Sequence, residues 1–277
     1  MNKIVVSKPG LKVDDMTYVT KHQGDAYDYI KEYLSENPET EVEIHGGDGS
    51  VFEAVNAIMD SKAFGKCLLT VVPSGTGNDF VKSFNDSDVH KIDVLKVNDK
   101  YCANMVNIGF DCDVVIATEK IKNKKAIGSF SYILGVVATV FKKFGKPFKI
   151  DLTLADGSYE KIEGTYLLLF AANGQYCGGG FRTAPVAKTN DGLIDLMLFN
   201  KVSRFTLARL IGKYKRGTHL DENGNLIPAF QKYATYTRCR SLKVSGPDNI
   251  CIDGEVFPLD TAEISVVPSC LDVKVNK

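Results

Sequence analysis

Gly46-Gly47-Asp48-Gly49-Ser50 and Pro73-Ser74-Gly75-Thr76-Gly77-Asn78-Asp79 are two glycine loops lying about thirty residues apart, roughly one strand–crossover–helix unit. Each follows a strand-like apolar run, at residues 42–44 and 68–72. Each precedes an amphipathic, helix-like stretch, at 51–59 and 78–84. Glycine lets the backbone turn tightly and approach a ligand, and a helix start behind it leaves N–H groups without helical partners. Such a terminus favours phosphate. Two of them on adjacent strands, each with an aspartate, read as a nucleotide site with a metal.

Outward from these loops, strand and helix alternate up to about residue 93, with strands at 4–6, 42–44 and 68–72 and helices at 25–35, 51–61 and 78–84. That alternation implies a parallel sheet with covering helices. Beyond it the pattern becomes β runs at 92–97, 101–108, 148–155, 164–171, 192–199, 241–245 and 264–267. Helical stretches at 117–144 and 204–215 interrupt them. Short strands with Asp156-Gly157, Asp191-Gly192 and Asp253-Gly254 turns indicate an antiparallel sandwich. The expected fold is therefore α/β plus all-β, with an α/β nucleotide-binding domain at 1–93 and a β-sandwich at 94–265.

Composition narrows the function classes. The 277 residues are 44% hydrophobic, enough for a sizeable core. Lys+Arg and Asp+Glu are both 34, so no overall field draws the chain to nucleic acid. Seven scattered cysteines with no C-x-x-C pair indicate neither a disulfide framework nor zinc, and they suit a reducing cytoplasm. The four histidines make no metal spacing. The opening residues read as a short strand and not a signal peptide. The longest apolar run, 132–141, is about half of a bilayer span, so a soluble chain is expected.

The chain has neither Gly-x-x-x-x-Gly-Lys-Ser/Thr nor Gly-x-Gly-x-x-Gly. Its first loop instead carries a carboxylate. Beside a triphosphate a carboxylate is repulsive unless a divalent cation intervenes, so Asp48 implies magnesium; the bland alternative is a tight turn with Asp48 as helix cap. Asp253 and Glu255 stand two apart, which in extended chain puts both on one face, where mutual repulsion raises at least one pKa and makes a better proton acceptor. The bland alternative there is an Asp-Gly hairpin turn. Asn190-Asp191-Gly192 also reads as a hairpin turn.

Taken together these stretches resemble the diacylglycerol kinase catalytic family, which includes bacterial lipid kinases and the sphingosine and ceramide kinases. The resemblance rests on Gly46–Ser50 with Glu53 and Asn56, on Pro73–Phe80, on Ile92-Asp93-Val94 and on Asn107-Ile108-Gly109-Phe110-Asp111. It continues through Gly178-Gly179-Gly180 to Ala184-Pro185, Asn190–Asp195 and Ile252-Asp253-Gly254-Glu255, all in the family's order. NAD kinases share the Gly-Gly-Asp-Gly loop, but the later stretches look like the lipid-kinase branch.

The resemblance implies transfer of the ATP γ-phosphate to a lipid hydroxyl with Mg2+, diacylglycerol being the leading acceptor. It implies nucleotide and metal-organising positions at Thr20, Gly46, Gly47, Asp48, Gly49, Ser50, Glu53, Gly75, Thr76, Gly77, Asn78, Asp79 and Asp93. It makes Glu255 the proton acceptor with Asp253 as helper, and a structural magnesium on Lys188, Asp191 and Leu193, through two backbone carbonyls and one carboxylate. It also returns the final strand, within 266–277, to the first domain.

The chain departs from the family at its start. Ser7-Lys8-Pro9-Gly10 replaces a strand ending in Asn-Pro, and only about ten residues separate Gly10 from Thr20, so the first helix looks deleted or reduced to a turn. This bears on ATP affinity, and it motivates a rival reading as a catalytically silent lipid- or nucleotide-binding protein. Ser50 in place of threonine keeps the hydroxyl.

An apolar stripe between Lys120 and Lys146 is interleaved with lysines. It reads either as a packed helix with a solvated face or as a peripheral contact with an anionic membrane surface. A second basic patch, 213–219, reads as a solvated helix end. A homodimer stays open as a partner.

Overall fold

The computed structural model describes residues 2–11, 13–75, 77–122 and 145–277. Thr76 and most of the stripe expected between Lys120 and Lys146 lie outside the described residues.

The first layer is parallel. Strands β1 (Asn2–Ser7), β2 (Tyr18–Val19), β3 (Thr40–Gly46) and β4 (Leu68–Pro73) lie in the order β2-β1-β3-β4. Buried and half-buried residues alternate along β3, as the period of a strand requires. Val42 and Ile44, with Ile4, Val6, Leu69 and Val71, face helices α1 (Asp25–Glu36) and α2 (Asp48–Asp60) in one apolar core. The opposite face carries charge: Lys3 Nζ reaches Glu43 at 2.8 Å and Glu41 at 3.5 Å, and Thr70 Oγ1 donates to Glu41 at 2.9 Å. Between β1 and β2 there are turns and, among the described residues, no helix. The polar face is consistent with that: a sheet face without a helix on it is better lined by paired charges than by Val and Ile.

The helix expected over 78–84 is a single 3-10 turn, Phe80–Ser83. The physical reason lies in the N–H groups of Asp79 and Phe80, which are held by a carboxylate from the first loop and so fix the chain before a full helix can start. The helix expected over 117–144 is seen as α3 (Phe110–Lys122), beginning seven residues earlier than its pattern suggested.

The second layer is antiparallel, which bears out the α/β plus all-β fold class. Its strands are β5 (Val89–Val97), β6 (Lys100–Cys102), β7 (Met105–Gly109), β8 (Lys146–Leu154), β9 (Tyr159–Ala172), β10 (Ile194–Asn200), β11 (Ala234–Ser245), β12 (Asn249–Ile252), β13 (Glu255–Pro258) and β14 (Thr261–Val275). They run in the order β13-β12-β7-β9-β10-β11-β14, with β8 joining β9 to β11. Their inward side chains, Leu95, Phe148, Ile150, Leu169, Leu196 and Val244 among them, form a second core. A third lies beneath helices α4 (Arg204–Lys215) and α5 (Pro228–Gln231). All seven cysteines are free and buried, and among the described residues no helix is long and apolar enough to cross a membrane.

One strand stitches the layers. The first half of β14 pairs antiparallel with β11, and Asp272–Val275 pair parallel with β4. Between Val267 and Leu271 its register against β5 shifts, and Ser269 there has a φ of 45°. The fully buried carboxylate of Asp93 faces this break. It accepts the Ser269 N–H at 2.7 Å and the Gly192 N–H at 2.7 Å, while the Asp93 N–H donates to Thr189 O at 2.6 Å. Asp93 therefore ties the bulge of β14 to the turn before β10.

Replacing Asp93 by alanine leaves two N–H groups buried without acceptors. Asp93→Ala is expected to cost about 3 kcal/mol or more in urea unfolding, the scale of losing charged hydrogen bonds in an interior. Asn, which keeps one acceptor oxygen, should cost less.

Candidate active site

The two glycine loops meet backbone to backbone. Asp48 N–H donates to Gly77 O at 3.0 Å, and Ser74 N–H donates to Gly46 O at 2.9 Å. A Cβ placed on Gly47 would lie 2.6 Å from Gly77 O, and one on Gly75 would lie 2.7 Å from Gly47 Cα. Glycine is required at both positions by this close approach. Across the junction the Asp48 carboxylate accepts from Asp79 N at 3.0 Å and Phe80 N at 3.1 Å.

The loops leave a phosphate-sized set of donors. Gly47 caps α2 without any side-chain hydrogen bond, and the first helical bond runs from Val51 N to Gly47 O. Gly49 and Ser50, ahead of that bond, have N–H groups with no partner inside the helix. The Ser50 side chain leans over Gly46. Asn78 Nδ2 donates to Gly75 O at 2.8 Å, whereas Asn78 Oδ1 and Ser74 Oγ are buried without a hydrogen-bond partner. These features fit a nucleotide phosphate chain.

Around the loops stand the carboxylates. Burial first, then the charges of Asp79 and Asp253, push the Asp48 pKa up to about 6, against the pull of its two N–H bonds. Asp79 is buried, with Lys82 Nζ at 2.6 Å and the Gly179 N–H at 2.7 Å. Among the described residues no three acidic, histidine or cysteine side chains converge as a metal cage. Asp48 is crowded by the negative charges of Asp79 and Asp253.

Several expected nucleotide positions have other work. Glu53 accepts from Gly24 N at 2.8 Å and Ala26 N at 3.1 Å, so it caps α1 from the neighbouring helix. Thr20 donates its N–H to Ser7 O at 2.9 Å. Asp93 is a correction: expected to order magnesium and water, it is fully buried with both oxygens on backbone N–H groups. Asn56 bridges α2 to Tyr101, donating to its carbonyl and accepting its N–H, both at 2.9 Å.

The Asp253–Glu255 pair needs a second correction. The chain there is a turn and not extended: Asp253 and Gly254 have φ of 49° and 95°, and Ile252 pairs with Glu255 across them. Positive φ at both central residues is the condition for a type I′ hairpin, so the two carboxylates diverge. The buried Asp253 carboxylate accepts from Ala103 N at 2.7 Å, Asn104 N at 3.0 Å, Met105 N at 2.8 Å and the Cys102 thiol at 3.0 Å. Burial raises its pKa against those bonds. Glu255 is half-buried and turns the other way: a Cβ on Gly49 would meet its Oε1 at 3.2 Å, and its Oε2 accepts from Gln23 Nε2 at 2.8 Å. It thus stands beside the half-buried amino end of α2.

The expected structural-magnesium site does not fit a cation. Asp191 Oδ1 accepts from Leu193 N at 3.2 Å, and the Arg238 guanidinium is hydrogen-bonded to Oδ2. Arg238 Nε also lies 3.8 Å from Asp195, whose carboxylate takes the Tyr236 hydroxyl. Burial pushes Asp195 up to about 6 despite these partners. A divalent ion at Asp191 would lie against a guanidinium that already supplies the positive charge.

Sequence reasoning missed Lys8, Gln23, Arg238 and Tyr236. Lys8, from the shortened opening segment, donates its N–H to His45 O at 3.2 Å and its ammonium to Ser74 O, which delivers a cation to the loops. Its place immediately before Pro9, where relatives of the resembled family have asparagine, was the available signal. An apolar cavity, about 50 Å³, lies apart from the loops, lined by Phe110, Leu168, Phe199, Leu207, Ile211 and Tyr214 among others.

Comparisons with known proteins agree with this layout. Residues 8–107 match the family described as "Diacylglycerol kinase catalytic domain", and residues 104–275 match "YegS C-terminal NAD kinase beta sandwich-like domain". Over 274 residues the chain is 29% identical to a Staphylococcus epidermidis protein named "Putative lipid kinase", covering 92% of this chain and 84% of that one. An Alcanivorax borkumensis protein named "Probable lipid kinase YegS-like" is 28% identical over 271 residues, covering 91% and 84%. A solved structure, titled "Crystal structure of a putative diacylglycerol kinase from Bacillus anthracis str. Sterne", aligns with a TM-score of 0.72. That alignment covers 99% of this chain and 97% of the other at 21% identity, which is a likeness of fold.

With Arg238 in the place expected for a cation, thermal unfolding of the nucleotide-free protein should not respond to magnesium or to EDTA. Arg238→Met should lower stability by about 1–3 kcal/mol, since it strands Asp195 in the interior while Asp191 keeps some contact with water. A magnesium-dependent rise in wild-type Tm would contradict this assignment.

Proposed function

The chain belongs to the diacylglycerol kinase catalytic family, in its YegS-like branch of lipid kinases, and from that premise we propose that it moves the γ-phosphate of ATP to a lipid hydroxyl, with diacylglycerol as the acceptor. The observation that carries the reading is the juxtaposition of the Glu255 carboxylate with Gly49, at the open amino end of α2. A phosphate chain held by the Gly49 and Ser50 N–H groups would present its terminal phosphoryl group toward Glu255. Glu255 then accepts the proton of the attacking hydroxyl, and Gln23 orients it through Oε2.

Asp253 acts as a positioning residue. It fixes residues 102–105 and thereby the hairpin from which Glu255 projects. Lys8 brings positive charge to the second loop, which answers the shortened opening segment. Magnesium, bound with ATP, would neutralise charge developing on the transferred group, and its charge would offset the repulsion that Asp48 meets from Asp79 and Asp253. On this reading, 1–93 is the nucleotide domain, 94–265 the lipid-facing domain and 266–277 a strand of the first. The apolar cavity of the lipid-facing part supports a hydrophobic acceptor. A peripheral place at the cytoplasmic face of a membrane follows from such an acceptor.

Radiolabelled ATP with dispersed diacylglycerol, a sphingoid base and other lipids should label diacylglycerol most strongly. Glu255→Gln should lower kcat by about 10²-fold or more, with nucleotide affinity nearly unchanged. Gly47→Val should abolish nucleotide binding, because its side chain would occupy the contact with Gly77 O. Full turnover by Glu255→Gln would contradict the assignment of the base. A wild type that binds lipid but labels none would favour the silent binder.

A further inference from the structure

Helix α4 has an underside and an upper side of opposite character. Beneath it, Leu207, Ile211 and Tyr214 line the apolar cavity, and Leu210 is buried. Above it, Phe205 is 90% exposed in the first turn. Arg209 follows four residues on, and Lys213, Lys215 and Arg216 are exposed at the far end. From Lys201 to Arg216 the chain carries six cations (Lys201, Arg204, Arg209, Lys213, Lys215 and Arg216) and no carboxylate. Asp221 and Glu222, beyond the helix, are the next acidic residues. In a protein whose formal net charge is zero, this is a local excess and not a share of an overall field. Ser203 caps the helix by accepting from Thr206 N at 3.1 Å, so the exposed phenylalanine sits on a firmly started turn.

We propose that the upper side of α4 docks on an anionic lipid bilayer, with Phe205 entering the headgroup–acyl boundary and Arg209, Lys213 and Arg216 lying against the lipid charges. The choice of occupant rests on two observations, charge complementarity along the helix and the apolar cavity immediately under it. The proposal deepens the lipid-kinase reading and rests on it for the direction from which the acceptor arrives. Docking would bring the cover of the cavity to the surface that holds the acceptor. The surface differs from the stripe between Lys120 and Lys146, and it includes part of the basic patch that its sequence marks as a solvated helix end.

The test is co-sedimentation of the full chain with vesicles of equal parts phosphatidylglycerol and phosphatidylcholine, beside vesicles of pure phosphatidylcholine. The wild type should bind the mixed vesicles, release with added salt and bind pure phosphatidylcholine weakly. Phe205→Ser should lower partitioning about tenfold, and each of Arg209→Glu and Lys213→Glu should lower it about fivefold or more. Thermal unfolding should remain cooperative in all three. Phosphorylation of a short-chain, monomeric diacylglycerol without vesicles should match wild type. Wild-type binding by the variants would overturn the docking surface and leave the kinase reading standing. Binding to an RNA homopolymer in preference to mixed vesicles would also overturn it, in favour of another polyanion. Failure to phosphorylate any lipid, with the vesicle results intact, would count against the kinase reading alone.

Discussion

A single half-buried carboxylate joins the two glycine loops. Asp48 opens α2, donates its N–H to Gly77 O, and accepts the N–H groups of Asp79 and Phe80. Burying that charge is costly, and the cost shows in a pKa pushed up to about 6. The compensation is geometric. With its carboxylate spent on the second loop, α2 keeps an uncapped amino end, the two loops close to van der Waals contact, and Gly49 comes to rest beside Glu255. Without the bond, the segment after Asp79 would be free to wind into the helix that its sequence favours.

The same device recurs wherever distant segments meet. Glu53 caps α1 from α2, Asp93 fastens the bulge of β14 to the turn at Gly192, and Asp253 gathers the backbone of residues 103–105. Each is an acidic side chain satisfied by main-chain N–H groups, which fixes the geometry of the loops it joins. The strand β14 completes the frame by pairing with both layers, so that the loops and the hairpin carrying Glu255 belong to one continuous sheet.

This device also explains what could be read from the residues and what could not. Apolar periodicity and the glycine loops were enough for the parallel layer and the antiparallel layer, while only the family resemblance set Glu255 with those loops. The partners of the carboxylates were not legible, because a hydrogen bond to backbone leaves no mark on the partner's identity. Asp93 thus looked like a metal organiser. Asp253 and Glu255 looked like a pair on one face because period-two reasoning assumes extended chain, and the Asp-Gly turn breaks that assumption. Arg238 lies forty-seven positions from Asp191, so nothing local announced that a guanidinium would take the cation's place. Lys8 was hidden in an opening stretch that departs from the family, and Gln23, just past Thr20, belongs to no motif.

The proposed kinase chemistry requires the amino end of α2, held open by Asp48, to receive the phosphates opposite Glu255. A crystal structure with magnesium and a non-hydrolysable ATP analogue tests it most directly. Phosphate oxygens should lie within hydrogen-bonding distance of the Gly49 and Ser50 N–H groups, with the terminal phosphate toward Glu255. A nucleotide bound elsewhere, or with its phosphates directed away from Glu255, would contradict it.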